Sequence, residues 1–346
     1  MAAPTTSLPK GSWVLVTGAN SYVSSHILKQ FLERGYRVRA TARNVAEASW
    51  IADEVFKSYT DAGSFELVSV PDISADHAFD AAAKGVSAII HVASIGGFDP
   101  DPNNVIPQTV ASVTTILETA LKEPSVKEFV FMSSCTAAAN ADADTVVHVE
   151  RDTWNEAALQ AAWAPPPYGP AQGFIVYMAS KVAAEKALWK FVDEQKPQFS
   201  VNSVCPYGVM GEPLHKNYVR STGAFIPLIY NGQVGHADGQ PGTYVTDVKD
   251  VALLTVAAAL DPEVKNARIQ AWGHSRTWNE ILDILKKLRP QHQFVEDLHS
   301  TRRVGQTTDP AEALGLLKKW GGQDGYRPLE ETLEENLIFY AINSKI

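Results

Sequence analysis

Two cysteines in 346 residues, Cys135 and Cys205, are too few for a disulfide framework, and neither falls in a metal-ligand spacing. Both lie in segments that read as buried strand ends, where a thiol serves as a small apolar filler. No metal site is expected. No run of about 18 apolar residues occurs, which argues against a membrane-spanning helix. Met1 to Leu8 lacks the charged start and the apolar centre of a secretory signal, so a cytoplasmic location is expected. Basic residues are in deficit: 30 Lys and Arg stand against 39 Asp and Glu, a formal charge of −9. Nucleic acid and anionic membrane are poor main partners for such a chain, because gripping phosphate backbones needs clustered cations. Low-complexity linkers are absent, and the only repeat is an alternation of strand and helix patterns.

What is present is ordinary for a globular protein, 45% hydrophobic and 20% charged. The length exceeds one compact core, so a main domain with a smaller appended lobe is expected. From Trp13 to Cys205 short β-branched runs alternate with longer stretches of helical period, the pattern of an α/β, Rossmann-type doubly wound parallel sheet. Strands are predicted at Trp13 to Thr17, Arg37 to Ala42, Phe65 to Val70, Ala88 to Val92, Glu128 to Met132 and Ser200 to Cys205. Helices are predicted on the stripe Val23, Ile27, Leu28, Phe31 and Leu32, over Ala46 to Tyr59, after the Pro-rich stretch Asp99 to Pro107, and from Tyr177 to about Gln195. Past Cys205 proline, glycine and aromatic residues become frequent around helical stretches at Val248 to Leu260 and Trp278 to Leu288. The division is therefore a dinucleotide-binding domain over 1–205 and a mainly substrate-covering lobe over 206–346. About 244–275 is expected to return to the main domain, since Ala267 to Trp272 reads as a late strand of its sheet.

Two local constellations carry chemistry. Thr17-Gly-Ala-Asn-Ser-Tyr-Val-Ser24 joins the first strand to the first helix, where a tight turn and free helix N–H groups can meet a pyrophosphate. Tyr177-Met-Ala-Ser-Lys181 puts a phenol and an ammonium four residues apart on one helix face. Hydride addition to a carbonyl makes an alkoxide that must be protonated, and a nearby ammonium is expected to favour the tyrosinate and so lower the phenol's pKa from about 10 toward the working range. Ser134, just past a strand end, could donate a hydrogen bond to the same oxygen.

Together these pieces resemble the extended short-chain dehydrogenase/reductase family, nearest to fungal aldehyde and ketone reductases, relatives of plant dihydroflavonol and cinnamoyl-CoA reductases. Val38 to Arg43, Asp152-Thr-Trp-Asn155, Tyr177 to Lys181, Tyr244 to Val251 and Gly325 to Glu330 carry the resemblance. It implies a catalytic Ser134, Tyr177 and Lys181, with Ser134 chosen over Ser133 as the second serine of the pair. It also implies a dinucleotide held by Thr17, Gly18, Asn20, Ser21, Tyr22 and Val23, by Arg43, by Asp72 and Ile73, by Val92, Ala93 and Ser94, and by Pro206, Tyr207, Gly208 and Val209, besides Tyr177 and Lys181. Asp72 reads equally as a helix N-cap.

Departures from the family pattern matter as much. Ser21 and Ser24 stand where the motif has glycines, and their hydroxyls could reach a phosphate. Ala111-Ser-Val-Thr114 lacks the family asparagine of a proton relay, leaving Thr114 or a water open. The second strand ends without the acid that holds a ribose 2′-hydroxyl, and Arg43, with Arg39 behind it, favours NADP(H) instead. Phe98 and Phe174, with Trp154, Trp163 and Pro165 to Tyr168, offer walls for an apolar substrate beside Ser134 and Tyr177. The expected reaction is NADPH-dependent reduction of a neutral small-molecule aldehyde or ketone by a monomer or homodimer. Two alternatives stay open: a nucleotide-sugar epimerase or dehydratase with tightly bound NAD, and a non-catalytic NADP(H)-sensing protein.

Overall fold

The computed structural model describes residues 4–95 and 97–343, with side chains to Phe339. The first half alternates β1 (Trp13–Val16), α1 (Tyr22–Glu33), β2 (Arg37–Ala42), α2 (Lys57–Asp61), β3 (Phe65–Ser69), β4 (Ala88–His91), α3 (Ile106–Lys122), β5 (Glu128–Met132), β6 (Val147–Val149), α4 (Glu156–Ala162), α5 (Gln172–Gln195) and β7 (Ser200–Pro206). The rest comprises β8 (Val209–Met210), α6 (Phe225–Tyr230), β9 (Thr243–Asp247), α7 (Val248–Leu260), β10 (Arg268–Ala271), β11 (His274–Arg276), α8 (Trp278–Leu288), β12 (Gln306–Thr308), α9 (Ala311–Gly321) and α10 (Leu329–Asn343).

Seven strands form one parallel sheet in the order β3-β2-β1-β4-β5-β7-β10. Side chains of a strand point alternately to its two faces, and both faces here are apolar. Val14 and Val16 join the core beneath α1 and α7, while Leu15 joins the core beneath α3 and α5. The order reverses at β1, with β2 on one side and β4 on the other, so the loops leaving β1 and β4 part and open a crevice at the carboxyl ends of the strands. β10 pairs with β7, which makes the late strand a member of the main sheet.

Two helix expectations shift. Over 46–59 there is no continuous helix: turns lead into a single π-helical turn at Ile51–Val55 and the short α2. Asn44 Oδ1 accepts from Ala46 N–H at 3.0 Å and holds the start as a turn, while the wider turn lets Ile51 and Phe56 both point inward. α5 begins at Gln172, five residues before Tyr177. Gly173, a poor helix former, is needed there, because a Cβ would meet the Phe98 carbonyl at 2.2 Å.

A second core lies beyond the sheet, where Ile226, Trp278, Ile281, Leu285, Leu333 and Leu337 of α6, α8 and α10 pack on Met210 and Val245 of the small β11-β9-β8 sheet. α8 is set by a capping box between Thr277 and Glu280.

Candidate active site

After β1 the chain turns over Gly18 at a φ of +74°, a backbone that favours glycine. A Cβ there would also press on the Ala93 backbone at 3.1 Å, so the turn lies directly against the chain leaving β4. Thr17 laces the two together, its hydroxyl accepting from the N–H groups of Val92 and Ala93 at 3.0 Å each. With both acceptor positions filled, its proton goes to His91 Nδ1, 3.0 Å away, which leaves that ring's proton on Nε2. Burial pushes the pKa of His91 down to about 3, so the ring is neutral. Val92, Ala93 and Ser94 run on half-buried.

Ser21 caps α1, its Oγ accepting from Ser24 N–H at 3.1 Å and lying 2.8 Å from the Ser24 hydroxyl. Ser24 also reaches the Thr17 carbonyl at 3.4 Å. The two serines at the motif's glycine positions thus bond to each other at the helix start, which needs an acceptor, while Ser21 also borders the cavity. The N–H groups of Tyr22 and Val23 in the first turn have no intrahelical acceptor, and both residues border the crevice. The buried Tyr22 ring donates its hydroxyl to the Gly211 carbonyl at 2.8 Å, tying α1 to the loop after β8. Asn20 is exposed.

Arg43 is exposed and forms no ion pair among the described residues. Arg39 does not stand free behind it: its guanidinium pairs with Glu66 and donates to the carbonyls of Ala82 and Lys84 at 2.7 and 2.9 Å. The register makes Glu66 its direct partner on β3, which captures the charge. Asp72 is exposed and caps a turn, accepting from the Ser74 N–H at 2.8 Å and hydroxyl at 2.6 Å; these bonds hold its carboxyl below the usual range. Ile73 packs against the core under the sheet.

At the end of β5 the paired serines part. Ser133 donates to Glu185 at 2.7 Å, whereas Ser134 accepts from the N–H and hydroxyl of Thr136 at 3.2 and 3.0 Å. With both its acceptor positions filled, Ser134 keeps its own proton to give. The Tyr177 phenol is not lowered as expected: burial pushes it up to about 12, the adjacent Ser134 hydroxyl pulls it down, and Cys135 adds to the rise. Lys181 is 6% exposed, and burial lowers its pKa to about 8 against the opposing pull of Glu185 and Cys205. Its ammonium has no hydrogen bond or ion pair among the described residues and lies 5.9 Å from the centre of the Phe131 ring. A buried cation with no acceptor fits a missing polar group, such as the ribose hydroxyls of a dinucleotide.

Ser134, Tyr177 and Lys181 border a cavity of about 600 Å³ in the crevice. Pro206, Tyr207, Gly208 and Val209 flank it, and Gly208 is required, because a Cβ would meet the Tyr244 carbonyl at 2.2 Å. Phe98 and Phe174, 67% and 44% exposed, stand at its rim with ring centres 5.8 and 6.0 Å from Tyr177. Among the described lining residues Lys181 is the one Lys or Arg, and no carboxylate is present.

The expected wall or relay residues Trp154, Trp163, Pro165 to Tyr168 and Thr114 lie elsewhere. Trp154 covers the Arg268 guanidinium at 4.0 Å, Trp163 is half-exposed on the surface, and Thr114 bonds back to the carbonyls of Val110 and Ala111 in its own helix. None of them borders the cavity.

The sequence reading missed two groups. Thr222, Phe225, His236 and Trp278 supply the cavity's wall from the second lobe. Beneath the site, Glu185 accepts from Ser133 and Ser203 at 2.7 Å each and from Arg268 at 3.0 and 3.2 Å. Glu185 was signalled by its place four residues after Lys181, and Arg268 by being a charge inside an apolar strand; the wall residues had no such signal.

Fold and turn define a doubly wound, dinucleotide-binding type of α/β protein. The profile of the NAD dependent epimerase/dehydratase family matches residues 14–269. Over 338 residues the chain is 38% identical to the NAD-dependent epimerase/dehydratase terH of Aspergillus terreus, covering 96% of this chain and 98% of the relative. It is 32% identical over 333 residues to aldehyde reductase 2 of Sporidiobolus salmonicolor, covering 95% and 96%. The solved structure of yeast methylglyoxal/isovaleraldehyde reductase Gre2 complexed with NADPH matches with a TM-score of 0.78 at 25% identity, covering 96% of this chain and 100% of that one. The chain belongs to the NAD dependent epimerase/dehydratase family, the extended short-chain dehydrogenases/reductases.

Proposed function

We propose that the chain is an NADPH-dependent carbonyl reductase that converts a neutral aldehyde or ketone to its alcohol. The observation that carries this reading is Tyr177 beside Ser134 at the polar end of a largely apolar cavity, with the unpaired, buried Lys181 ammonium one turn along the same helix. A bound nicotinamide supplies the hydride that the carbonyl carbon takes up. Ser134 donates a hydrogen bond to the carbonyl oxygen as it gains charge, and Tyr177 gives it the proton. A phenol pushed up to about 12 keeps that proton at neutral pH, yet an alkoxide is a stronger base and takes it. Lys181, still largely an ammonium below about pH 8, stabilises the tyrosinate left behind. The exposed Arg43 and the missing strand-end acid support NADPH over NADH.

Tyr177→Phe keeps the ring and removes the transferable proton. It should lower kcat for an aryl ketone by about 10² to 10⁴ while leaving the Kd for NADPH within a few-fold. Near wild-type kcat would overturn the assignment.

The name of the Aspergillus terreus relative favours a second reading, an epimerase or dehydratase that retains NAD. A nucleotide-sugar diphosphate needs cations, and among the described lining residues Lys181 is the one Lys or Arg. Dinucleotide released on denaturing the purified protein decides between them: stoichiometric NAD supports the second reading, and turnover of added NADPH the first.

A further inference from the structure

Part of the cavity wall is aromatic: the His236 ring stacks on Phe225 with ring centres 4.4 Å apart and meets Trp278 edge-on at 5.4 Å. All three residues line the cavity. Two other polar groups of this wall are engaged: Trp278 Nε1 donates to the Pro241 carbonyl at 3.0 Å, and the Thr222 hydroxyl to the Val209 carbonyl at 2.6 Å. His236 is not. Its Nε2 is buried without a hydrogen-bond partner, and Nδ1 has none either among the described residues.

That state sets it apart within this chain. The protein has nine histidines, and each of the other eight makes a hydrogen bond through a ring nitrogen. Burying a polar atom unpaired is unfavourable, and the loss is recovered where a ligand supplies the partner. Burial also lowers the pKa of His236, so at neutral pH the ring is uncharged and offers one donor and one acceptor. Such a group suits a neutral hydroxyl or carbonyl. The Tyr207 hydroxyl is buried without a partner too, but it packs with Cys135 and Trp272, next to Ser134 at the reacting end.

We infer that His236 is a specificity-determining residue, binding a second, neutral hydroxyl or carbonyl group of the substrate besides the reacting carbonyl. The inference rests on the reductase reading of the same cavity. It narrows the substrate class to aryl or similarly apolar carbonyl compounds with a second, uncharged hydrogen-bonding group. Phe225 and Trp278 hold the apolar body, and His236 reads the group it carries.

The test uses 4-phenylbutan-2-one and its ortho-, meta- and para-hydroxyphenyl analogues, with NADPH, against the wild-type protein and His236→Phe. The variant keeps an aromatic ring in the stack and lacks both nitrogens. At least one hydroxylated ketone should exceed the parent in kcat/KM by about 3- to 10-fold in the wild type, the size of one net hydrogen bond. In the variant that ratio should fall to about 1. The inference fails if no isomer is preferred by the wild type, or if the preference survives the substitution. It fails equally if parent and hydroxylated ketones lose rate together, since His236 would then be a packing residue. If no ketone is turned over at all, the reductase reading fails. Calorimetric titration of the same ketones into NADP⁺-loaded protein then still decides the histidine's role: a hydroxyl-dependent gain in Kd lost in the variant supports it, and equal affinities overturn it.

Discussion

Replacing Glu185 by methionine keeps the bulk of the side chain and removes the carboxylate beneath the candidate site. Its partner cannot escape to water: the side chains of Glu185 and Arg268 are 0% and 1% exposed, and Arg268 Nη1 is held by the carbonyls of Arg151 and Thr153 at 2.9 and 2.7 Å. The substitution strands a buried guanidinium and leaves the hydroxyls of Ser133 and Ser203 without their acceptor. Removing one member of a buried ion pair costs about 3 to 5 kcal/mol. An unfolding entropy of about 2.1 cal/mol/K per residue, over 346 residues, converts this to a fall in Tm of about 4 to 7 °C. Urea unfolding followed by tryptophan fluorescence gives the free energy, and calorimetry gives Tm. Trp154 over Arg268 and Trp189 beside Glu185 place reporters at the pair itself. The control is the double substitution Glu185→Met with Arg268→Met, which leaves no uncompensated charge and should be less destabilised than the sum of the two singles by at least about 2 kcal/mol. A single-variant cost under about 1 kcal/mol, or strict additivity, would refute the reasoning.

Three further outcomes follow from charged side chains. Without added dinucleotide, Lys181→Met should stabilise the protein at pH 7 by on the order of 3 kcal/mol, because burial holds the folded-state pKa at about 8 against about 10.4 in the unfolded chain. Below about pH 8 both states are protonated and the full burial cost stands; as pH rises from about 8 to 10.4 the unfolded chain alone keeps the proton, so the variant's advantage shrinks. Tm measured from pH 6 to 10.5 checks this, and a flat or absent advantage refutes it. Arg43→Ala should raise KM for NADPH by about 10- to 100-fold and leave KM for NADH nearly unchanged, since only NADPH carries the 2′-phosphate. Arg39→Ala, which breaks the pair with Glu66, should lower Tm without changing that ratio; steady-state kinetics with both dinucleotides decides, and equal losses for both would remove the case for NADPH.

Much of this protein was legible along the chain, and the limits have a physical pattern. β2, β5, α7 and α8 span the residues their periodicity predicts, because alternation by two and by 3.6 is a relation between near neighbours. The facing of Tyr177 and Lys181 is local for the same reason: one helical turn separates them. Gly18 was legible as the residue a tight turn needs, and Gly208 only through the likeness of Pro206 to Met210 to the family loop; that a Cβ would be crowded at both is seen only in the structure. What a side chain bonds to was another matter. Arg39 read as a phosphate ligand until the β2–β3 register set Glu66 opposite it. The motif serines became an internal cap, and Ser133 and Ser134 took different partners because Glu185, on a helix about fifty residues away, reaches only the first. Trp154 was drawn off the cavity by Arg268. The part of the cavity wall that holds the unpaired His236 comes from residues 222–278, which share the cavity with Ser134 and Tyr177 only in the folded chain. Chain-local periodicity determined the elements and the spacing of the reacting pair; the packing of distant elements alone decided which polar groups were satisfied inside the protein and which were left facing a ligand.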